Sequence, residues 1–206
     1  MKRNIFVIGR SLEYANWMEG NIVPRMSEAD LVLFTGGEDV SPSMYDEPKG
    51  KYTYDNRLRD EYEQKEFHRA LEMGKKMIGI CRGSQFLCVM SGGKLVQHQD
   101  NPDYLHYIHM YDGSELLITS THHQAQWPYN LPEDEYKILG WTEGISDFHL
   151  NGAGKELRVP KECEIVLYPK VNALGIQGHP EHMLDKFHAE INYLRQLLDN
   201  FMGDKL

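Results

Sequence analysis

The sequence predicts an α/β fold with a mostly parallel central sheet and helices on both faces, and three observations predict it. Short, uninterrupted apolar runs recur along the 206 residues, as in strands buried on both sides. These runs alternate with stretches of helical period that carry charge on one face. Several of the runs empty into Gly or Gly-Gly, where a buried strand has to turn out of its sheet.

The elements follow in order. Residues 4–9 (Asn-Ile-Phe-Val-Ile-Gly) form the first run, and residues 31–34 form the second, which leads into Thr35-Gly36-Gly37. A polar loop with Pro42, Pro48 and Gly50 covers 38–56. Residues 55–73 read as a helix with Leu58, Tyr62, Phe67, Ala70 and Leu71 close to one face and Gly74 where a C-terminal cap belongs. On that helix Asp60 and Glu63, beside Arg57 and Arg59, are expected to form a solvated ion-pair face. Residues 77–80 are a third buried strand, and 84–90 an apolar helix closed by Ser91-Gly92-Gly93. A second polar loop, rich in Tyr and His, is expected at 97–112. Strands follow at 116–118, 137–141, 165–168 and 173–177, then an amphipathic helix at 183–201. At this length the expectation is one domain, residues 1–206.

Charge and composition exclude several classes. Twenty-two Lys+Arg stand against 31 Asp+Glu, a formal charge of −9, which opposes the phosphate neutralisation a nucleic-acid binder needs. No apolar run reaches the ~20 residues that cross a bilayer. The N-terminal run stops at Arg10, short of a signal-peptide core. Three cysteines (Cys81, Cys88, Cys163) make a disulfide scaffold unattractive and point to a reducing, cytoplasmic setting.

The most informative stretch is Gly79-Ile80-Cys81-Arg82-Gly83, a Gly-x-nucleophile-x-Gly turn between a predicted strand and a predicted helix. A turn this tight strains its central residue, so its flanks must lack bulk, and the free N–H groups of the following helix favour a thiolate at Cys81. The Arg82 N–H would face the same spot as half of an oxyanion hole. Cys88 and Cys163 read as ordinary buried cysteines. A partner base is found at Gly178-His179-Pro180-Glu181, after the 173–177 strand. Pro180 holds His179 extended, and i, i+2 spacing sets Glu181 beside the His179 ring. Thr121-His122-His123-Gln124 follows another strand end and would line the same pocket, and the loops 38–56 and 97–112 are either pocket walls or solvated connectors. Metal sites at His179-x-x-His182, His122-His123 or His106-x-x-His109 match no zinc spacing, so neither metal nor cofactor is expected.

With these residues in view, the sequence resembles the class I glutamine amidotransferases, and within them the γ-glutamyl-γ-aminobutyrate hydrolase branch. The matching pieces run from residue 34 to 181: Phe34-Thr35-Gly36-Gly37-Glu38-Asp39-Val40-Ser41-Pro42, Arg59-Asp60 with Glu63, Gly79 to Gln85, Gly92-Gly93-Lys94-Leu95, Ser120 to Gln124, and Gln177 to Glu181. The resemblance implies a flavodoxin-like architecture with Cys81 as nucleophile, His179 as general acid/base and Glu181 as its orienter. It implies an oxyanion hole from the backbone N–H groups of Gly37 and Arg82, and substrate contacts from Gly36, Gln85, His122, His123 and Gln124. Gly178 stands where the family usually has a large aromatic, which implies a wider pocket or room for another side chain. The activity implied is hydrolysis of the γ-glutamyl amide bond of glutamine or a γ-glutamyl amine through a thioester. The alternatives are a glutaminase that supplies ammonia to a separate synthetase or amidoligase chain, and a non-catalytic binding module. The chain ends soon after its last predicted helix, so no fused synthetase is expected. A homodimer is a further partner arrangement consistent with the resemblance.

Overall fold

The computed structural model describes residues 2–9, 11–100 and 104–206. Its elements are β1 (Asn4–Ile8), β2 (Asn21–Ile22), β3 (Leu31–Phe34), α1 (Arg57–Glu72), β4 (Lys76–Ile80), α2 (Arg82–Met90), β5 (Lys94–Val96), β6 (His98–Gln99), β7 (Leu105–Met110), β8 (Glu115–Thr119), β9 (Ala125–Trp127), β10 (Lys137–Thr142), β11 (His149–Leu150), β12 (Glu162–Tyr168), β13 (Ala173–Ile176) and α3 (His188–Met202). Short 3-10 turns lie between them, notably at Leu12–Met18 and Pro180–His182.

The main sheet runs β2-β1-β3-β4-β13-β12-β10-β7-β8. Neighbours are parallel from β2 to β13 and antiparallel from β13 outward, with β9 and β5 added beside β12. The sheet is therefore parallel only in the half that carries the cysteine turn. The reason is connection length: β12 and β13 are joined by a single 3-10 turn (Pro169–Val171), far too short for a parallel crossover. Helices cover both faces, as expected. Ile5, Leu33, Ile78, Ile80 and Ile176 pack with Ile191, Leu194 and Leu198 of α3 on one side. Val32, Phe34 and Met77 pack with Phe67 of α1 and Phe86 of α2 on the other.

Three sequence expectations need correction. The buried face of α1 is Asp60, Glu63, Phe67 and Ala70, whereas Leu58 is 80 % and Tyr62 51 % exposed. Asp60 and Glu63 are thus interior charges and no solvated face. The apolar spacing misled because these carboxylates are drawn inward by a buried arginine. Second, the 97–112 stretch is no single loop: β6 and β7 lie inside it, while 101–103 fall outside the described residues. Strand β7 buries His106, Ile108 and Met110 but exposes Leu105, Tyr107 and His109, so polarity does not alternate with burial. Third, α3 begins at His188 rather than 183, after the turn that Pro180 starts.

Gly83 makes the α2–β3 approach possible. A Cβ there would lie 2.1 Å from the Phe34 carbonyl oxygen, a backbone atom that cannot step aside without moving β3. Gly83→Ala is expected to lower the unfolding free energy by about 3 kcal/mol, the upper end of ordinary overpacking, read from the urea midpoint. An unchanged midpoint would contradict this close contact.

Candidate active site

Strand β4 delivers Cys81 to the C-terminal edge of the sheet in register with β13: Ile80 pairs with Ile176, and the Cys81 N–H donates to the Ile176 carbonyl at 2.8 Å. Cys81 has φ 52° and ψ −111°, a conformation L-residues rarely adopt. It persists because its surroundings allow nothing else. The Cys81 carbonyl accepts from the Ser84 and Gln85 N–H groups and from the Ser84 hydroxyl at 2.7 Å. At Gly79 a Cβ would fall 2.3 Å from the Gly83 backbone, so both flanking glycines are required by contact.

His179 comes from just beyond β13. Its ring Nδ1 donates to Glu181 Oε1 at 2.7 Å, which leaves the other ring nitrogen for Cys81. Glu181 reaches the ring from the 3-10 turn Pro180–His182 rather than from an extended segment. The backbone of His179 is held by β8: its N–H donates to the Thr119 hydroxyl, which donates in turn to the His179 carbonyl, both at 3.0 Å. That closeness explains Gly178, where a Cβ would sit 2.4 Å from Ile118 and 2.6 Å from the Thr119 carbonyl. The space is filled by β8 itself, and the pocket gains no width there.

Burial alone would lower the His179 pKa. The adjacent Cys81 sulfur and the Glu181 carboxylate outweigh it and raise the imidazole from 6.5 to about 10. Because the folded value exceeds the unfolded one, this ring adds stability that is complete below pH 6.5 and is lost as pH rises toward 10. His179 is expected to remain protonated at pH 8 in an NMR titration, with its midpoint falling in Cys81→Ala. A midpoint near 6.5 in the unaltered protein would refute the pairing.

Cys81 opens onto a cavity of about 200 Å³ lined by Gly37, Glu38, Asp39, Tyr54, Arg82, Gln85 and the Thr121, His122, His123 and Gln124 segment. Among the described residues, neither the Gly37 nor the Arg82 N–H has a hydrogen-bond partner. Of the residues the resemblance assigned to substrate, Gln85, His122, His123 and Gln124 line the cavity, whereas Gly36 does not. Gln85 Nε2 and His122 Nδ1 both donate to the Gln124 carbonyl, at 2.8 and 2.9 Å, and so pin the segment to α2. Burial pushes the His122 imidazole down, with Glu164 opposing. His123 Nε2 stands 3.4 Å from Asp39 on the more exposed side.

Two features beside the site were not legible in the sequence, a tyrosine and the ion pairs of the Arg82 side chain. Tyr14, on the Leu12–Met18 turn, has its ring centroid 6.0 Å from that of His179. Burial and the charges of Glu181 and Cys81 push its phenol up to about 12, so it keeps its proton. Arg82 is 2 % exposed and paired with both Asp60 and Glu63 of α1. Burial and nearby Arg59 pull its guanidinium down to about 10, with Asp60 opposing, so it stays charged at neutral pH. Among the described residues, His179, Glu181 and His182 bring their ligand atoms within 4.8 Å of one another and could hold a metal. The His179–Glu181 hydrogen bond already engages two of them.

In sequence and in fold the chain is class I glutamine amidotransferase-like. A glutamine amidotransferase from Thermotoga maritima shares the fold at TM-score 0.65 and 15 % identity, covering 98 % of this chain and 99 % of its own. A GMP synthase subunit from Thermoplasma acidophilum aligns at TM-score 0.61 and 16 % identity, over 98 % and 94 %. In sequence, the glutamine amidotransferase-like protein YvdE of Lactococcus lactis subsp. lactis is 41 % identical over 187 residues, 82 % of this chain and 73 % of that one. The Peptidase C26 family model matches residues 17–131, and the chain belongs to that family. No helix among the described residues is long and apolar enough to cross a membrane.

Proposed function

We propose that this protein is a cysteine hydrolase of γ-glutamyl amide C–N bonds, of the γ-glutamyl-γ-aminobutyrate hydrolase type. The observation that carries the reading is Cys81 on the wall of a cavity that Gly37 and Arg82 also line, their N–H groups without a partner among the described residues, with the Glu181-bound ring of His179 beside it. The Cys81 sulfur attacks the side-chain carbonyl carbon, and the carbonyl oxygen becomes an oxyanion facing the Gly37 and Arg82 N–H groups. Collapse expels the amine, which takes its proton from His179, and leaves a γ-glutamyl thioester. His179, now neutral, accepts a proton from water as the hydroxide adds to the thioester. The sulfur then leaves as a thiolate, which releases glutamate and restores the starting pair of thiolate and protonated His179. Glu181 keeps the ring in one tautomer throughout. Gln85, His122, His123 and Gln124 form the wall against which the glutamyl portion lies. Incubating the purified protein with glutamine and a panel of γ-glutamyl amines tests this, glutamate being the common product. Failure on every member would remove the reading.

The likeness to a GMP synthase subunit supports a second reading, in which the same chemistry supplies ammonia to a separate synthetase or amidoligase chain. Glutamine hydrolysis that appears only on adding such a partner would favour it. Robust cleavage of a γ-glutamyl amine by the isolated chain would favour the first.

A further inference from the structure

The oxyanion hole of the proposed function needs one donor that its own sequence does not hold in place. The Gly37 N–H belongs to the Gly36–Gly37 peptide, a link between two residues without side chains, and Gly37 has φ 139°. Glycine populates both signs of φ at little cost, so this peptide could present either its N–H or its carbonyl to the cavity. Something outside the loop has to choose.

Arg59 stands at that point. Its Nη2 donates to the Gly36 carbonyl at 2.9 Å and to the Thr35 carbonyl at 3.0 Å. Nη1 reaches Glu38 at 3.1 Å, and Nε donates to Glu63 at 2.7 Å, so the guanidinium is anchored on both sides. Its side chain is 8 % exposed, and a Cβ at Gly37 would lie 2.1 Å from Nη1, so the glycine rests directly on the cation. In a trans peptide the carbonyl and the N–H point in opposite directions. A carbonyl held toward Arg59 therefore sends the Gly37 N–H away from the guanidinium, and Gly37 lines the cavity onto which Cys81 opens. The flipped peptide would aim an N–H at a buried cation and strip that cation of an acceptor. Glu63 also pairs with Arg82, whose N–H is the second donor and whose Nε donates to the Glu38 carbonyl at 3.1 Å. One carboxylate thus ties both donors to helix α1.

We propose that Arg59 is a positioning residue that fixes the Gly36–Gly37 peptide so that the Gly37 N–H completes the oxyanion hole, an inference that rests on the hydrolase reading above. The test uses the full chain with Arg59→Met and Arg59→Lys. Lys keeps the buried charge but cannot span two carbonyls and two carboxylates with one nitrogen. On whichever γ-glutamyl amide the unaltered protein cleaves, kcat is expected to fall on the order of 10²–10³-fold in Arg59→Met, the usual loss for one oxyanion donor. In Arg59→Lys it falls at least about tenfold, on the same principle. KM should stay within about threefold in both, since the donor acts in the transition state. Alkylation of Cys81 by iodoacetamide, which needs no oxyanion hole, should keep its rate. A kcat within threefold of the unaltered protein in Arg59→Lys, or a parallel loss of alkylation, would overturn the proposal. If the unaltered protein cleaves no γ-glutamyl amide, the hydrolase reading falls by itself. The positioning is then read from a crystal structure of Arg59→Lys, where a rotated Gly36–Gly37 peptide supports it and an unchanged one refutes it.

Discussion

Cys81→Ala is expected to abolish turnover, with a loss on the order of 10⁴–10⁶ in kcat, while leaving the chain folded. The size of the effect follows from the chemistry. Without the sulfur no thioester forms, and the remaining N–H groups and His179 can only assist direct attack by water. The fold should survive because alanine at φ 52° carries the same backbone strain as cysteine and removes a single buried atom from a site that opens on a cavity. Glutamate release measures the first half, and the thermal midpoint near neutral pH measures the second. Mass spectrometry offers a direct complement: a γ-glutamyl thioester trapped with a slow substrate, or the thioether formed when the sulfur displaces chloride from a glutamine-like chloroketone, should map to Cys81 and to neither Cys88 nor Cys163. Burial holds both of those thiols up at about 12. Turnover within tenfold of the unaltered protein would dispose of the cysteine mechanism.

The second large effect is one of stability. Glu63 is fully buried and is shared by two guanidiniums, Arg59 at 2.7 Å and Arg82. Desolvating charges is costly, and the cost is met only while each has its partner. Glu63→Ala leaves Arg59 and Arg82 facing one another across a void, and is expected to cost about 3–5 kcal/mol of unfolding free energy. Glu63→Gln, which keeps the shape and two hydrogen-bonding atoms, should lose less. Equilibrium urea denaturation reads both. A loss under about 1 kcal/mol in Glu63→Ala would mean that the pairs behave like exposed ones.

These two residues mark the boundary of what a linear reading reaches. The strand–cysteine–helix turn was legible because its requirements are local: two glycines where backbones touch, an apolar run before and a helix after. The pairing of His179 with Glu181 was legible for a related reason, since two residues two positions apart lie close together whatever the rest of the chain does. The conformation differed, a 3-10 turn in place of an extended segment, yet the contact is the same. Tyr14 was invisible, because nothing in its own neighbourhood says that the Leu12–Met18 turn packs beside the His179 ring. The β7 strand was missed because its outward face carries Leu105 and Tyr107, which mask the alternation.

Apolar periodicity and glycine placement were enough to predict the α/β class and the tight turn that carries Cys81, and the spacing of His179 and Glu181 was enough to predict their contact. They could not establish that α1 turns its carboxylates inward, that the sheet becomes antiparallel past β13, or that Arg59 grips the loop after β3. The physical reason is the same in each case. A local pattern reports which side chains avoid water by default. A charge is buried only when a compensating partner arrives from elsewhere in the chain, and for Asp60 and Glu63 that partner is Arg82, supplied by the turn after β4.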